Sequence, residues 1–166
     1  MNTEYALSFL REHQPLPPTK DIPEELLAEF DAIRKYFAQF PDERCVQLLL
    51  NAFGEGDGHG VYQQVEDTIA LFPSDTVIAA LKRALSRRDG SIRYWNAQIA
   101  ANYPSAELID PLLGVLREGS VDEQIAAVTA LEGILLPYVR QALEAELSSN
   151  IEPEVKDLIR DVLGHV

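Results

Sequence analysis

A single cysteine, Cys45, occurs in 166 residues, which excludes an internal disulfide and any multi-cysteine metal site. Histidine is scarce as well. His13, His59 and His165 stand far apart, none with a ligand partner at i+4 or a nearby cysteine, so no metal and no cofactor is expected. Also missing are a G-x-S-x-G turn, a phosphate-binding glycine loop and a dinucleotide fingerprint. The longest uncharged apolar runs, such as 133–139, fall far short of a membrane span. The opening stretch MNTEYALSFLREHQ has no basic leader followed by a long apolar segment, so a cytoplasmic chain without a secretion signal is expected. Basic residues are few: 14 Lys and Arg face 27 Asp and Glu, a net charge of −13. Such a field repels nucleic acid, whose binding needs cations on phosphates, and attracts a basic protein partner. Solubility is its simpler use.

The charge is uneven. Residues 1–60 sum to −6, 61–104 to +1 and 105–166 to −8. Apolar residues recur at three- and four-residue intervals almost throughout, and no alternating stretch is bounded by a hairpin turn, so the expected class is all-α. Ten helices are predicted, at 3–13, 22–40, 42–53, 60–72, 74–87, 91–103, 105–117, 120–135, 137–148 and 152–165. Their starts carry recognisable signals. Asp21 precedes Pro23 and Glu24-Glu25, Ser74 is followed by Asp75, and Ser120 with Glu123 has the S-x-x-E spacing of a capping box. Pro15, Pro17 and Pro18 make 14–21 an extended connector, because each ring removes a donor and blocks helix.

The helices pair into hairpins that repeat. Phe40-Pro41, Phe72-Pro73, Tyr103-Pro104 and Leu136-Pro137 place proline after a large apolar residue every 31 to 33 residues. Second helices open at Val61, Ile92, Glu123 and Val155 and end at Phe72, Tyr103, Ile134 and Val166. Four and eight residues into each come Val65 and Ile69, Asn96 and Ala100, Ala127 and Leu131, Ile159 and Leu163. These offsets share one face, so each second helix carries the same inward stripe. One hairpin of about 31 residues has too little apolar area to stand alone, whereas stacked neighbours share a continuous core. The residue before each proline is then expected in a buried seam between units.

IRYWNAQIAANY and VKDLIRDVLGHV resemble the second helix of HEAT repeats, written V-R-x-x-A-A-x-A-L-G-x-I. Val155-Lys156 and Ile92-Arg93 match V-R, Leu163-Gly164 match L-G, and LIDPLLGVL at 108–116 is similar to the family's first helix, with its proline at Pro111. The third unit departs from the pattern with Glu123-Gln124 at V-R, and the first has Tyr62 in place of the arginine. The resemblance implies a right-handed α-solenoid of about four to five hairpins in a single domain, 1–166. Capping helices would occupy 1–41, and repeats 42–73, 74–104, 105–136 and 137–166. Family membership of this kind speaks to fold rather than to function.

Cys45 lies near the start of an apolar stripe with Leu48 and Leu49 and reads as a buried, inert thiol. GEGDGHG, 54–60, reads as a mobile connector; the acidic spacing of a helix–loop–helix calcium site is absent. Tyr94 is at an outward offset and Trp95 at the stripe edge, where core or seam packing is expected. With Arg93 they put three hot-spot residue types side by side. Asn96 falls inward, where an amide needs a partner, expected from a neighbouring helix. Lys82, Arg83, Arg87 and Arg88 form a local basic cluster, explicable as a solvated helix end.

The outward offsets give a candidate partner-binding face of Glu66, Asp67, Arg93, Tyr94, Trp95, Gln98, Thr129, Glu132, Asp157 and Asp161, with no catalytic set. Small, acidic helical-repeat proteins of this kind are similar to bacterial immunity proteins that bind and neutralise a cognate, often basic, toxin. Other HEAT-like proteins resemble bilin lyases or excise damaged DNA bases, and a scaffold or assembly adaptor is a further alternative. The expectation is a non-catalytic module that binds another protein, with neither nucleic acid nor membrane as partner.

Overall fold

A computed structural model describes residues 1–164. His165 and Val166, the predicted end of the last helix, lie outside the described residues. Among those described, 68% of the chain is helical, in ten α-helices without a strand. They are α1 (Thr3–Glu12), α2 (Glu24–Gln39), α3 (Arg44–Leu50), α4 (Gln63–Ile69), α5 (Ser74–Leu85), α6 (Gly90–Ala100), α7 (Ile109–Glu118), α8 (Val121–Glu132), α9 (Pro137–Glu146) and α10 (Pro153–Leu163). Number and order match the periodicity. The ends are tighter, and most so in α3 and α4, which lose several residues to the turn that joins them. No helix among the described residues is long and apolar enough to cross a membrane.

Helix ends follow local chemistry. Asn2 caps α1 by accepting from the Tyr5 amide at 2.9 Å. Ser120 and Glu123 form the expected capping box of α8, the Glu123 carboxylate accepting from the Ser120 amide at 2.9 Å. Pro137 and Pro153 open α9 and α10, where a missing N–H costs nothing. Gly164 closes α10 at φ 72°, in the left-handed region. Tyr103-Pro104 leads into a single 3₁₀ turn, Ala106–Leu108, so α7 begins four residues later than its predicted start at 105.

The chain divides into two compact units, Met1–Ala84 and the residues from Leu85 onward. In the first, α1 packs on α3, α2 on α4, and α3 on α4. Phe30, Phe37, Phe53 and Tyr62 fill the core, with the Tyr62 ring edge-on to Phe53 at 5.4 Å and to Phe30 at 6.4 Å. Arg34 ties α2 to α4. Its guanidinium is held by Asp31 at 2.7 Å and donates to Gln64 Oε1 at 2.9 Å and Thr68 Oγ1 at 3.2 Å.

The 54–60 connector is a correction to the sequence reading, because the proline segment pins it. Thr19 donates its amide to the Glu55 carbonyl at 2.8 Å and accepts from the Gly58 amide at 2.9 Å, while Leu16 donates to the Ala52 carbonyl at 2.9 Å. Gly54 donates to the Tyr62 hydroxyl at 3.1 Å, and a Cβ there would come within 2.2 Å of the Leu16 carbonyl. Gly58 has φ 56° and lies so close to the Tyr62 ring that a side chain would collide with it. These glycines serve close approach rather than freedom of movement. Leu16, inside the extended connector, is itself buried.

In the second unit α8 is the central helix, packed by α6, α7 and α10, and α10 also packs on α9. Alanines at 126, 127 and 130 allow neighbours to come close around it. Gln124 Nε2 donates to the Leu116 carbonyl at 2.9 Å, and Arg140 reaches the Leu163 carbonyl at 2.8 Å, satisfying an acceptor that a helix end leaves open. The eight residues of the inward stripe are all buried: Val65, Ile69, Asn96, Ala100, Ala127, Leu131, Ile159 and Leu163.

The residues before the prolines do not share one environment. Phe72 is 7% exposed, but Phe40 is 58% exposed and Leu136 43%; Tyr103 is half-buried. The recurrent feature is therefore a backbone stop, and a buried seam is not attached to every copy. Phe40 sits one residue beyond the end of α2 and Leu136 at the N-cap of α9, whereas Phe72 and Tyr103 sit three residues past α4 and α6. The register of each apolar side chain against its own helix differs, and its burial differs with it.

Candidate functional site

The second unit carries a groove between α6 and α8. Tyr94, Gln98 and Ala101 line it from α6 and the residue following, and Asp122, Ile125, Ala126 and Thr129 line it from α8. Both sets follow helical spacing, so each is one stripe along its helix. The cavity is about 230 Å³, below the roughly 300–1,000 Å³ usual for small-molecule sites. Ala126 is buried in its floor, Ile125, Ala101 and Tyr94 are half-buried, and Gln98, Asp122 and Thr129 are exposed at the rim. The Thr129 hydroxyl donates to the Ile125 carbonyl at 2.9 Å, which leaves its oxygen lone pairs facing outward for a donor.

Three residues expected on the binding face, Tyr94, Gln98 and Thr129, meet here. Trp95 is half-buried, between the core and exposed alternatives, with its ring edge-on to Tyr94 at 5.6 Å. Arg93 behaves differently from an outward contact residue. Its Nε donates to Glu123 Oε1 at 2.7 Å, and the side chains are only 12% and 7% exposed. Glu123, which breaks the V-R pattern, thus closes the capping box of α8 and holds the arginine that keeps the pattern on α6. Asn96 is fully buried, and its Nδ2 donates to the Ile92 carbonyl of its own helix at 2.8 Å.

The acidic members separate by element. Glu132 is exposed near the C-terminal end of α8, and Asp157 and Asp161 are exposed on α10, with Asp157 paired to Arg160 at 2.5 Å. Glu66 and Asp67 lie on α4 in the first unit, half-buried and exposed respectively. Asp122, Ile125 and Ala126 were not among the expected residues. Their signal was available, since they precede Thr129 by seven, four and three residues on one helical face.

Cys45 is wholly buried, and desolvation pushes its thiol up to about 12, with the Asp42 carboxylate adding to the shift. Among the described residues, no three His, Cys, Asp or Glu side chains gather as a metal site would require. Lys82, Arg83, Arg87 and Arg88 are all exposed, and Arg83 donates to Gln47 Oε1 at 2.6 Å. No protein-family model matches the chain, and no curated protein matches it in sequence.

Proposed function

We propose that the chain is a non-catalytic protein-binding module, built as a right-handed α-solenoid of HEAT-like hairpins, that captures a basic protein in the cytoplasm. An immunity protein neutralising a basic toxin is the form of this role that its charge suits best. The observation that carries the reading is the α6–α8 groove, where an aromatic wall meets polar groups and a carboxylate, with further exposed acids at Glu132, Asp157 and Asp161. Aromatic anchors ringed by polar groups are what binding hot spots use. A net charge of −13 adds long-range attraction for a cationic partner.

The solenoid form is supported by polar links that recur about one repeat apart. Arg34 reaches Gln64, Arg93 reaches Glu123 and Arg117 reaches Glu146, separations of 30, 30 and 29 residues. Helices two apart in sequence also pack within each unit, α1 on α3 and α2 on α4, α6 on α8 and α8 on α10. Stacked hairpins place helices in this way. The size of the groove suits one side chain of a partner better than a tetrapyrrole, so the lyase alternative gains nothing from it.

The test mixes the purified chain with the basic protein encoded beside its gene at low ionic strength. A stoichiometric complex is expected, and its association rate should fall steeply as salt shortens the Debye length. No complex at low salt rejects the proposal.

A further inference from the structure

We infer that the α6–α8 groove is a slot for a single arginine side chain presented by the partner; this rests on the binding reading above and names the group it recognises. The floor, Ile125, Ala126 and Ala101, is apolar and fits the methylene stem of a long side chain. The Tyr94 ring on one wall offers a surface on which a planar guanidinium stacks and a compact ammonium does so less well. At the rim stands Asp122, exposed and, among the described residues, engaged by no cation. The carboxylate can accept two parallel N–H bonds from the guanidinium, and Gln98 and Thr129 supply further acceptor oxygens.

The charge around the slot points the same way. Among the described residues, no Lys or Arg lines it. Arg93, the nearest cation in sequence, is already bound by Glu123 and cannot neutralise Asp122 without breaking that pair. On α8 the same face continues to Glu132, so the slot has an acid toward either end of that helix. Asp122 also sits in the first turn of α8, where an acidic side chain complements the helix dipole. That role explains an acid at this position, but it does not account for the aromatic wall, the apolar floor and the acceptor rim assembled beside it.

The experiment titrates the isotope-labelled full chain with argininamide, lysinamide and citrullinamide, reading backbone amide shifts and the fluorescence of Trp95, the one tryptophan. Argininamide should shift the amides of Tyr94, Gln98, Ile125 and Thr129 saturably and change the Trp95 emission. Lysinamide should bind more weakly, and citrullinamide, which keeps the shape but loses the charge, should leave the slot empty. Asp122→Asn should weaken argininamide by about tenfold, the loss of one charge-assisted pair, with the helical spectrum unchanged. Equal binding of citrullinamide, indifference to Asp122→Asn, or shifts centred on α10 would overturn the slot. A basic protein captured while argininamide fails to bind removes this inference alone. Argininamide seated in the groove with no basic protein captured removes the binding reading instead.

Discussion

Cys45 illustrates how far environment decides the behaviour of a residue. A thiolate is the reactive form, and burial with the added effect of Asp42 raises the Cys45 thiol to about 12, so almost none is ionised at neutral pH. A maleimide or disulfide reagent should therefore leave the native chain unlabelled and label it fully in denaturant; rapid native labelling would show that the site opens. Asp31 is shifted the other way. Burial works to raise its pKa, but hydrogen bonds from Lys35 and Arg34 outweigh that and hold it below the usual carboxylate value. A depressed folded pKa contributes stability that is present above the unfolded value, about 3.9, and is lost as pH falls through the folded one. Stability measured by urea should accordingly decline below about pH 4, and Asp31→Asn should flatten part of that decline.

At the scale of elements, the repeated proline stops and the links between helices make separable predictions. Phe72 is buried beside its stop, so Phe72→Ala should cost about 3–5 kcal/mol in urea unfolding. Phe40 is largely exposed, and Phe40→Ala should stay within about 0.5 kcal/mol. Equal costs would mean that both lie in equivalent seams after all. The link between α6 and α8 is stricter. Arg93→Met strands the Glu123 carboxylate, itself almost fully buried, and should cost about 3–5 kcal/mol. Adding Glu123→Gln, whose amide oxygen can still accept from the Ser120 amide, should recover part of the loss in the same measurement. If Arg93→Met leaves the unfolding midpoint in place, the pair is not what fixes α6 on α8.

For the whole molecule, charge governs behaviour in solution. The isoelectric point is about 4.5, so turbidity should peak near that pH and clear on return to neutrality, where the excess of carboxylates keeps copies apart. A chain that stays clear throughout would show that its surface excludes self-association without help from net charge. The same excess sets the salt dependence expected of the proposed partner capture, and it is carried by both units: the groove and the acids of α8 and α10 lie in the second, Glu66 and Asp67 in the first.

The amino-acid sequence alone determined the helical class, the ten elements, the capping box at Ser120 and the inward stripe from Val65 to Leu163. Each of these follows from the 3.6-residue period or from hydrogen bonds within four residues, and both are properties of the local chain. Tertiary structure decided the rest. It set which arginine meets which acid 30 residues away, put Leu16 inside and Phe40 outside, and made glycine at 54 and 58 a matter of clearance. It also brought Asp122 beside Tyr94. Such outcomes depend on the angle and distance at which one helix meets another, and a repeat of apolar residues constrains the face that is buried without choosing the neighbour that covers it.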